Sequence, residues 1–137
     1  MDPREFLKLA RNLNASPSEA AQRTAVSRAY YGVYLSAQEL LAVEGLPFQN
    51  DASDHRRVPE YLTHAHDATI SGIGNASRDL HHERVLADYR MKLAKFNQKG
   101  AALIVAKAAA SLRTLDALDR AARRAAVAQI RAALHLP

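Results

Sequence analysis

The clearest pattern of apolar and polar positions lies between residues 20 and 44. Its apolar residues recur at steps of three and four, at Val26, Tyr30, Val33, Tyr34, Ala37, Leu40 and Leu41. This spacing predicts one apolar stripe along a helix, with Arg28 and Tyr31 beside the stripe. Because a buried tyrosine needs a partner for its hydroxyl, we expect this helix to bring polar chemistry to the edge of a core.

A helical pattern extends along almost the whole chain. Alanine, leucine, arginine and glutamate dominate, while the five glycines and five prolines fall at a few places typical of joints. The sequence therefore predicts an all-α fold, an antiparallel bundle of five to six helices. We expect one domain over residues 1–137, in which residues 114–137 form a basic, alanine-rich C-terminal helix.

Boundary signals are strongest around the first two helices. The first is expected over residues 3–13. Ser16, with Glu19 three positions later, has the spacing of a capping box and would open the long second helix. That helix should reach Val43 or the next residue, and Gly45 should end it.

The third helix is expected over residues 55–66, after a polar loop at 46–53. Three residues could open it: Asp51, Ser53 or Asp54. Pro59 would then lie in its first turn, where proline is tolerated.

The fourth helix should carry the segment from Arg78 to Tyr89. Two of the five glycines lie between Ile70 and Asn75, so we expect the helix to begin near there. Asn75 or Ser77 would be its cap.

The C-terminal third allows two interpretations. From Phe96 onward an apolar seam runs along one helix, through Ile104, Ala108, Leu112 and Leu115. A separate last helix could then begin at one of three caps, namely Thr114, Asp116 or Asp119. Alternatively, residues 101–134 form one continuous rod, because nothing in that stretch forbids a helix.

Composition narrows the classes of function. The chain has no cysteine, which excludes disulfides, cysteine nucleophiles and thiolate metal sites. No apolar run approaches the roughly 20 residues of a membrane span, and the N-terminus has no signal-peptide pattern, so we expect a cytoplasmic protein without membrane contact. The net charge of +5 favours acidic partners such as RNA.

Three separated motifs, in order, resemble the HEPN family of small helical bundles. They are Ser27-Arg-Ala-Tyr-Tyr31, then His55, then Arg84 followed by Ala87-Asp-Tyr89. They are similar to a branch of short prokaryotic HEPN proteins, over about residues 20–112. The resemblance implies a HEPN-like bundle and a homodimer with its motif helices facing each other. It also implies a cleft that binds RNA, a nucleotide or a partner such as a nucleotidyltransferase-type antitoxin, in a toxin–antitoxin or antiviral defence system.

The resemblance also implies candidate site residues, with one departure from the family pattern. HEPN ribonucleases carry a histidine four to six residues after the arginine, whereas this chain has Asp88 there. Arg84 could stabilise a phosphorane, but an aspartate with an ordinary pKa is a weaker acid–base group at neutral pH than histidine. Tyr89 and His55 would have to supply the missing chemistry. Arg28, Tyr30 and Tyr31 of the first motif are candidate binding residues.

Three functions therefore stay open: a binding module with an incomplete catalytic motif, a metal-independent endoribonuclease acting at a dimer cleft, and a purely structural protein. In the structural alternative Arg84 and Asp88 form an ion pair. Tyr30 or Tyr31 would donate to that pair and so join two helices.

The histidines offer further candidates. A second pair with ribonuclease-like spacing is Arg57 and His64. Five of the six histidines lie between His55 and His82, yet none is spaced to bind a metal from one helix face, so we predict neither metal nor cofactor. These histidines could carry protons near pH 6 to 7 if some of them line a cleft with Arg84, and His81 and His82 are candidate binding residues.

The last helix adds a basic stripe. Arg120 and Arg124 share one side with Arg131, opposite an apolar side. Such a stripe could follow a phosphate backbone. It could equally be the solvated face of an amphipathic helix that docks on the bundle or on a second subunit.

Overall fold

Six α-helices and no strands make up the computed structural model, which describes residues 1–137. The helices are α1 (Glu5–Asn14), α2 (Glu19–Val43), α3 (Asp54–Thr63), α4 (Ala68–Tyr89), α5 (Gln98–Asp116) and α6 (Arg120–Leu134). The all-α helical bundle predicted from the sequence is confirmed.

The long helix α2 is the centre of the bundle. α1, α4 and α5 pack against it, and α3 packs mainly on α4. The predicted stripe of α2 is buried along most of its length, from Val26 to Leu41, and only Leu40 is partly exposed. α6 closes the core by burying Val127 and Ile130.

The start of α2 corrects the sequence prediction, and its end confirms it. Ser18, not Ser16, is the N-cap: its Oγ accepts from the backbone N–H of Ala21 at 3.3 Å. The Ser16 hydroxyl instead accepts from the N–H of Ser18 at 3.2 Å. At the other end Gly45 has φ +92°, and bonds from Gly45 and Leu46 back into the last turn complete a Schellman motif.

α3 begins at Asp54 and ends at Thr63, three residues before the predicted end. The chain turns at His66, which has φ +52°, and the next residue already caps α4. Pro59 is the sixth residue of α3, so its predicted place in the first turn was wrong. Pro59 is buried in the second turn.

α4 begins well before the predicted start. Asp67 is its cap, accepting from the N–H of Ile70 at 2.9 Å, so the predicted caps Asn75 and Ser77 were wrong. Gly72 and Gly74 both lie inside the helix, and α3 approaches closely at Gly74. A Cβ on Gly74 would lie 2.9 Å from Thr63 Cγ2.

The C-terminal third contains two helices, so the continuous rod was wrong. The Asp119 carboxylate accepts from the N–H of Ala122 at 2.8 Å and opens α6, which selects one of the three predicted caps. The break lets α6 fold back so that its apolar side reaches the core. None of the six helices combines the length and the apolar character that a membrane crossing requires.

Candidate functional site

A cleft of about 640 Å³ lies between the start of α3 and the middle of α4. It is lined by Ala52, His55, Arg56, Pro59, Arg78, His81 and Arg84. Three arginines and two histidines face it, and no carboxylate is among the lining residues. We call it the α3–α4 cleft. Its lining favours an anionic ligand.

The two helices place these side chains by simple geometry. Arg78, His81 and Arg84 follow one another at steps of three on α4, so they share one face of the helix. His55 and Arg56 lie in the first turn of α3. The sequence prediction included the two histidines and Arg84 but missed Arg56 and Arg78. The three-residue step along α4 was the signal that could have indicated Arg78.

A buried carboxylate fixes the turn that precedes α3. Asp54 is fully buried and accepts from the backbone N–H groups of Gln49 at 3.1 Å and Asn50 at 2.7 Å. It also pairs with Arg57. These contacts hold the first turn of α3 in place, and with it the adjacent His55. Sequence reasoning considered Asp54 only as a helix cap.

The ion pair with Asp54 holds the Arg57 side chain away from the cleft. The ring of His64, its partner in the second ribonuclease-like spacing, bonds through Nδ1 to the carbonyl of Glu60 at 2.7 Å. Neither side chain lines the α3–α4 cleft. The structure therefore does not direct this pair at a shared site.

Beneath the cleft the two histidines rest on the aromatic residues of α2. Tyr30 is 0% exposed, and its hydroxyl lies 2.6 Å from Nδ1 of His55. The His55 ring stacks on Tyr34 at 4.5 Å and on His81 at 5.3 Å between ring centroids. Burial raises the pKa of Tyr30 and raises that of Tyr34 to about 12, so both phenols keep their protons at neutral pH.

Both cleft histidines are biased towards the neutral form. Burial lowers the pKa of His55, and the charge of Arg84 lowers it further. Burial also lowers the pKa of His81, aided by His55 and Arg84. Two neutral imidazoles therefore lie beside a guanidinium at pH 7. No three His, Asp or Glu side chains come together closely enough to hold a metal ion.

The Arg84–Asp88 ion pair expected in the structural alternative is present. Arg84 Nε lies 2.9 Å from Asp88 Oδ2, although its N–H is not aligned for a hydrogen bond. The pair reaches α2 through Ser27, whose hydroxyl donates to Asp88 at 3.3 Å, and through the ring of Tyr31, 5.4 Å below the guanidinium. The hydroxyl of Tyr30 does not donate to this pair, because it bonds to His55.

The other predicted site residues lie outside the α3–α4 cleft. Tyr89 is 68% exposed at the end of α4. Arg28, on α2, packs over the rings of Tyr31 and of Phe6 from α1. His82 lines a separate cleft beside α5. Arg120 and Arg124 are exposed on α6 and do not join the other basic residues.

Comparison of the chain with protein-family models, with curated proteins and with solved structures gives no significant match.

Proposed function

We propose that the α3–α4 cleft binds the phosphate groups of RNA. The observation that carries this proposal is the lining itself, three arginines and two histidines with no carboxylate among them. Guanidinium groups bind phosphate oxygens with short, charge-assisted hydrogen bonds, often in pairs. The net charge of +5 adds long-range attraction for a polyanion.

Within the cleft the arginines differ in how free their charges are. Arg84 is partly neutralised by Asp88. Arg56 forms no ion pair, and Arg78 donates only to the neutral Asn75 and Thr63 at 3.4–3.5 Å. Arg56 and Arg78 should therefore contribute most of the attraction for phosphate, while Arg84 is held in a fixed position by its partner.

Binding of a labelled single-stranded RNA, followed by fluorescence anisotropy, tests the proposal. We expect Arg56→Gln and Arg78→Gln each to weaken binding about 10-fold and to lower the salt dependence by about 0.7 in log–log slope. Arg113→Gln removes the same charge from an exposed position on α5 outside the cleft and should have little effect. Equal losses in all three variants, or no binding by the wild type, would contradict the proposal.

A second function, metal-independent RNA cleavage, is favoured by one specific observation. Two imidazoles with lowered pKa values lie in the same cleft as Arg84. One could take the proton of a 2′-hydroxyl, whose oxygen then attacks the adjacent phosphorus. The guanidinium would stabilise the phosphorane, and an acid would return a proton to the departing 5′ oxygen, leaving a 2′,3′-cyclic phosphate.

Cleavage is tested by incubating RNA with the protein in EDTA. His81→Gln should abolish cutting, whereas His82→Gln changes the neighbouring residue outside the cleft and should leave it intact. An inactive wild type would reject catalysis while leaving the binding proposal standing.

The HEPN relationship is proposed from the motif residues and from the contacts between them. Ser27 and Tyr31 contact the Arg84–Asp88 pair, and His55 lies in the same cleft as Arg84, which supports a common site for the three motifs. Under this proposal the protein is a homodimeric RNA-binding module of a toxin–antitoxin or defence system. A nucleotidyltransferase-type antitoxin is its candidate partner.

A further inference from the structure

We infer that Tyr30 is a positioning residue that makes His55 a hydrogen-bond donor towards the cleft and leaves His81 as the group free to accept a proton. The inference rests on the proposed function only for the identity of the ligand. The hydrogen bond that carries it lies within the protein.

The direction of that hydrogen bond follows from burial. The Tyr30 hydroxyl is enclosed between α2, α3 and α4, and Nδ1 of His55 is its only partner. If His55 donated through Nδ1–H, the phenolic proton would be buried without an acceptor, which is unfavourable. If Tyr30 donates, every buried polar atom of the pair is satisfied.

A neutral imidazole carries one proton, so an accepting Nδ1 places that proton on Nε2. Nε2 of His55 makes no hydrogen bond within the protein and is not among the buried polar atoms. Because His55 lines the cleft, its Nε2–H is free to donate to a phosphate oxygen. The imidazole can thus bind an anion without first becoming charged.

His81 has no comparable constraint. Its ring stacks on His55 with an interplanar angle of 25°, but no hydrogen bond to the protein fixes the tautomer. One nitrogen of the neutral ring therefore keeps a free lone pair. Both imidazoles are half-buried and line the cleft, but only His55 is held in one tautomer by a bond from Tyr30.

Removing the Tyr30 hydroxyl should change the pKa of His55 in a defined direction. Protonation of Nδ1 breaks the bond donated by Tyr30, so that bond favours the neutral ring, and Tyr30→Phe should raise the pKa of His55. The other titratable and charged groups around His55 remain in the variant: on α2 Tyr31 and Tyr34, on α3 Asp54, Arg56 and Arg57, and on α4 Arg78, His81 and Arg84.

Long-range ¹H–¹⁵N spectra of the histidine rings in the free protein test the inference. At about pH 8 the wild type should show His55 with a proton on Nε2 and none on Nδ1. Tyr30→Phe should raise the midpoint of the His55 titration by about 0.5–1 pH unit. Tyr34→Phe is the matched control, because the Tyr34 ring also stacks on His55 but its hydroxyl makes no hydrogen bond to His55. This variant should leave the tautomer and the titration midpoint of His55 unchanged.

A proton on Nδ1 of His55 in the wild type would overturn the inference, as would an unchanged or lowered midpoint in Tyr30→Phe. If that variant fails to fold, the wild-type tautomer alone decides. The spectra need no ligand, so a failure of RNA binding would overturn the proposed function and leave this result standing.

Discussion

Replacing Arg23 by methionine should destabilise the end of α4, the helix that carries the cleft residues. Arg23 is only 8% exposed. Its guanidinium donates to the carbonyls of Ala87 at 2.9 Å, Arg90 at 3.1 Å, Met91 at 3.1 Å and Leu93 at 3.0 Å. It thus satisfies the last turn of α4 and the segment beyond it. Methionine keeps an unbranched apolar stem but donates no hydrogen bond.

The expected loss in the free energy of unfolding depends on which of these carbonyls water can reach in the variant. Ala87 is buried, so its carbonyl would lose its charged partner without replacement, at a cost of about 1–3 kcal/mol. Arg90, Met91 and Leu93 are exposed, and their carbonyls can be hydrated at a net cost of about 0.5–1 kcal/mol each. Together these give about 2.5–6 kcal/mol, a large part of the stability of a small protein.

Urea unfolding of Arg23→Met beside Arg11→Met measures this loss. Arg11 is exposed on α1 and has no ion-pair partner, so its variant should stay within about 0.5 kcal/mol of the wild type. Amide exchange at the end of α4 should also accelerate in the Arg23 variant. A loss below about 1 kcal/mol would show that the guanidinium does not stabilise the helix end in this way.

Two further predictions concern packing and pH. Gly74→Ala should lower the free energy of unfolding by about 1–3 kcal/mol, because the new Cβ would clash with α3. Gly72→Ala has open space around the new methyl group and should raise the free energy of unfolding by up to about 1 kcal/mol. Equal effects of the two substitutions in urea unfolding would contradict a clash at Gly74. Because the pKa values of His55 and His81 are lowered in the fold, the unfolded chain binds more protons just below pH 6.5. The free energy of unfolding should therefore fall as the pH drops from about 6.5 towards the lowered pKa values of the folded state. This fall should be less steep in His81→Gln than in His135→Gln, a control at an exposed histidine. Identical pH profiles in the two variants would show that His81 does not contribute to this pH dependence.

Much of the fold was predictable because local patterns decide it. The stripe on α2 needs only three- and four-residue spacing, and the Gly45 stop needs only a residue that adopts positive φ. Asp119 was one of the named caps. Gly74 misled the prediction because a glycine at a helix end and a glycine under a crossing helix look alike in one sequence. Only the approach of α3 distinguishes them.

The site was harder to predict than the helices. His55 and Arg84 were expected together through the motif resemblance. Arg56 and Arg78 join them only because two helices meet at Gly74, which is a property of the tertiary packing. The bond from Tyr30 to His55 also links residues 25 positions apart, and no local pattern predicts it.

The most direct test of phosphate binding in the α3–α4 cleft uses the six histidines as reporters. A short single-stranded RNA is titrated into the protein while the imidazole carbon-bound protons are followed by NMR. His55 and His81 should shift saturably and together, because only these two line the cleft. The remaining histidines should not follow them: His64, His66, His82 and His135. Shifts confined to those four, or no saturable shift at His55 and His81, would contradict the proposed function.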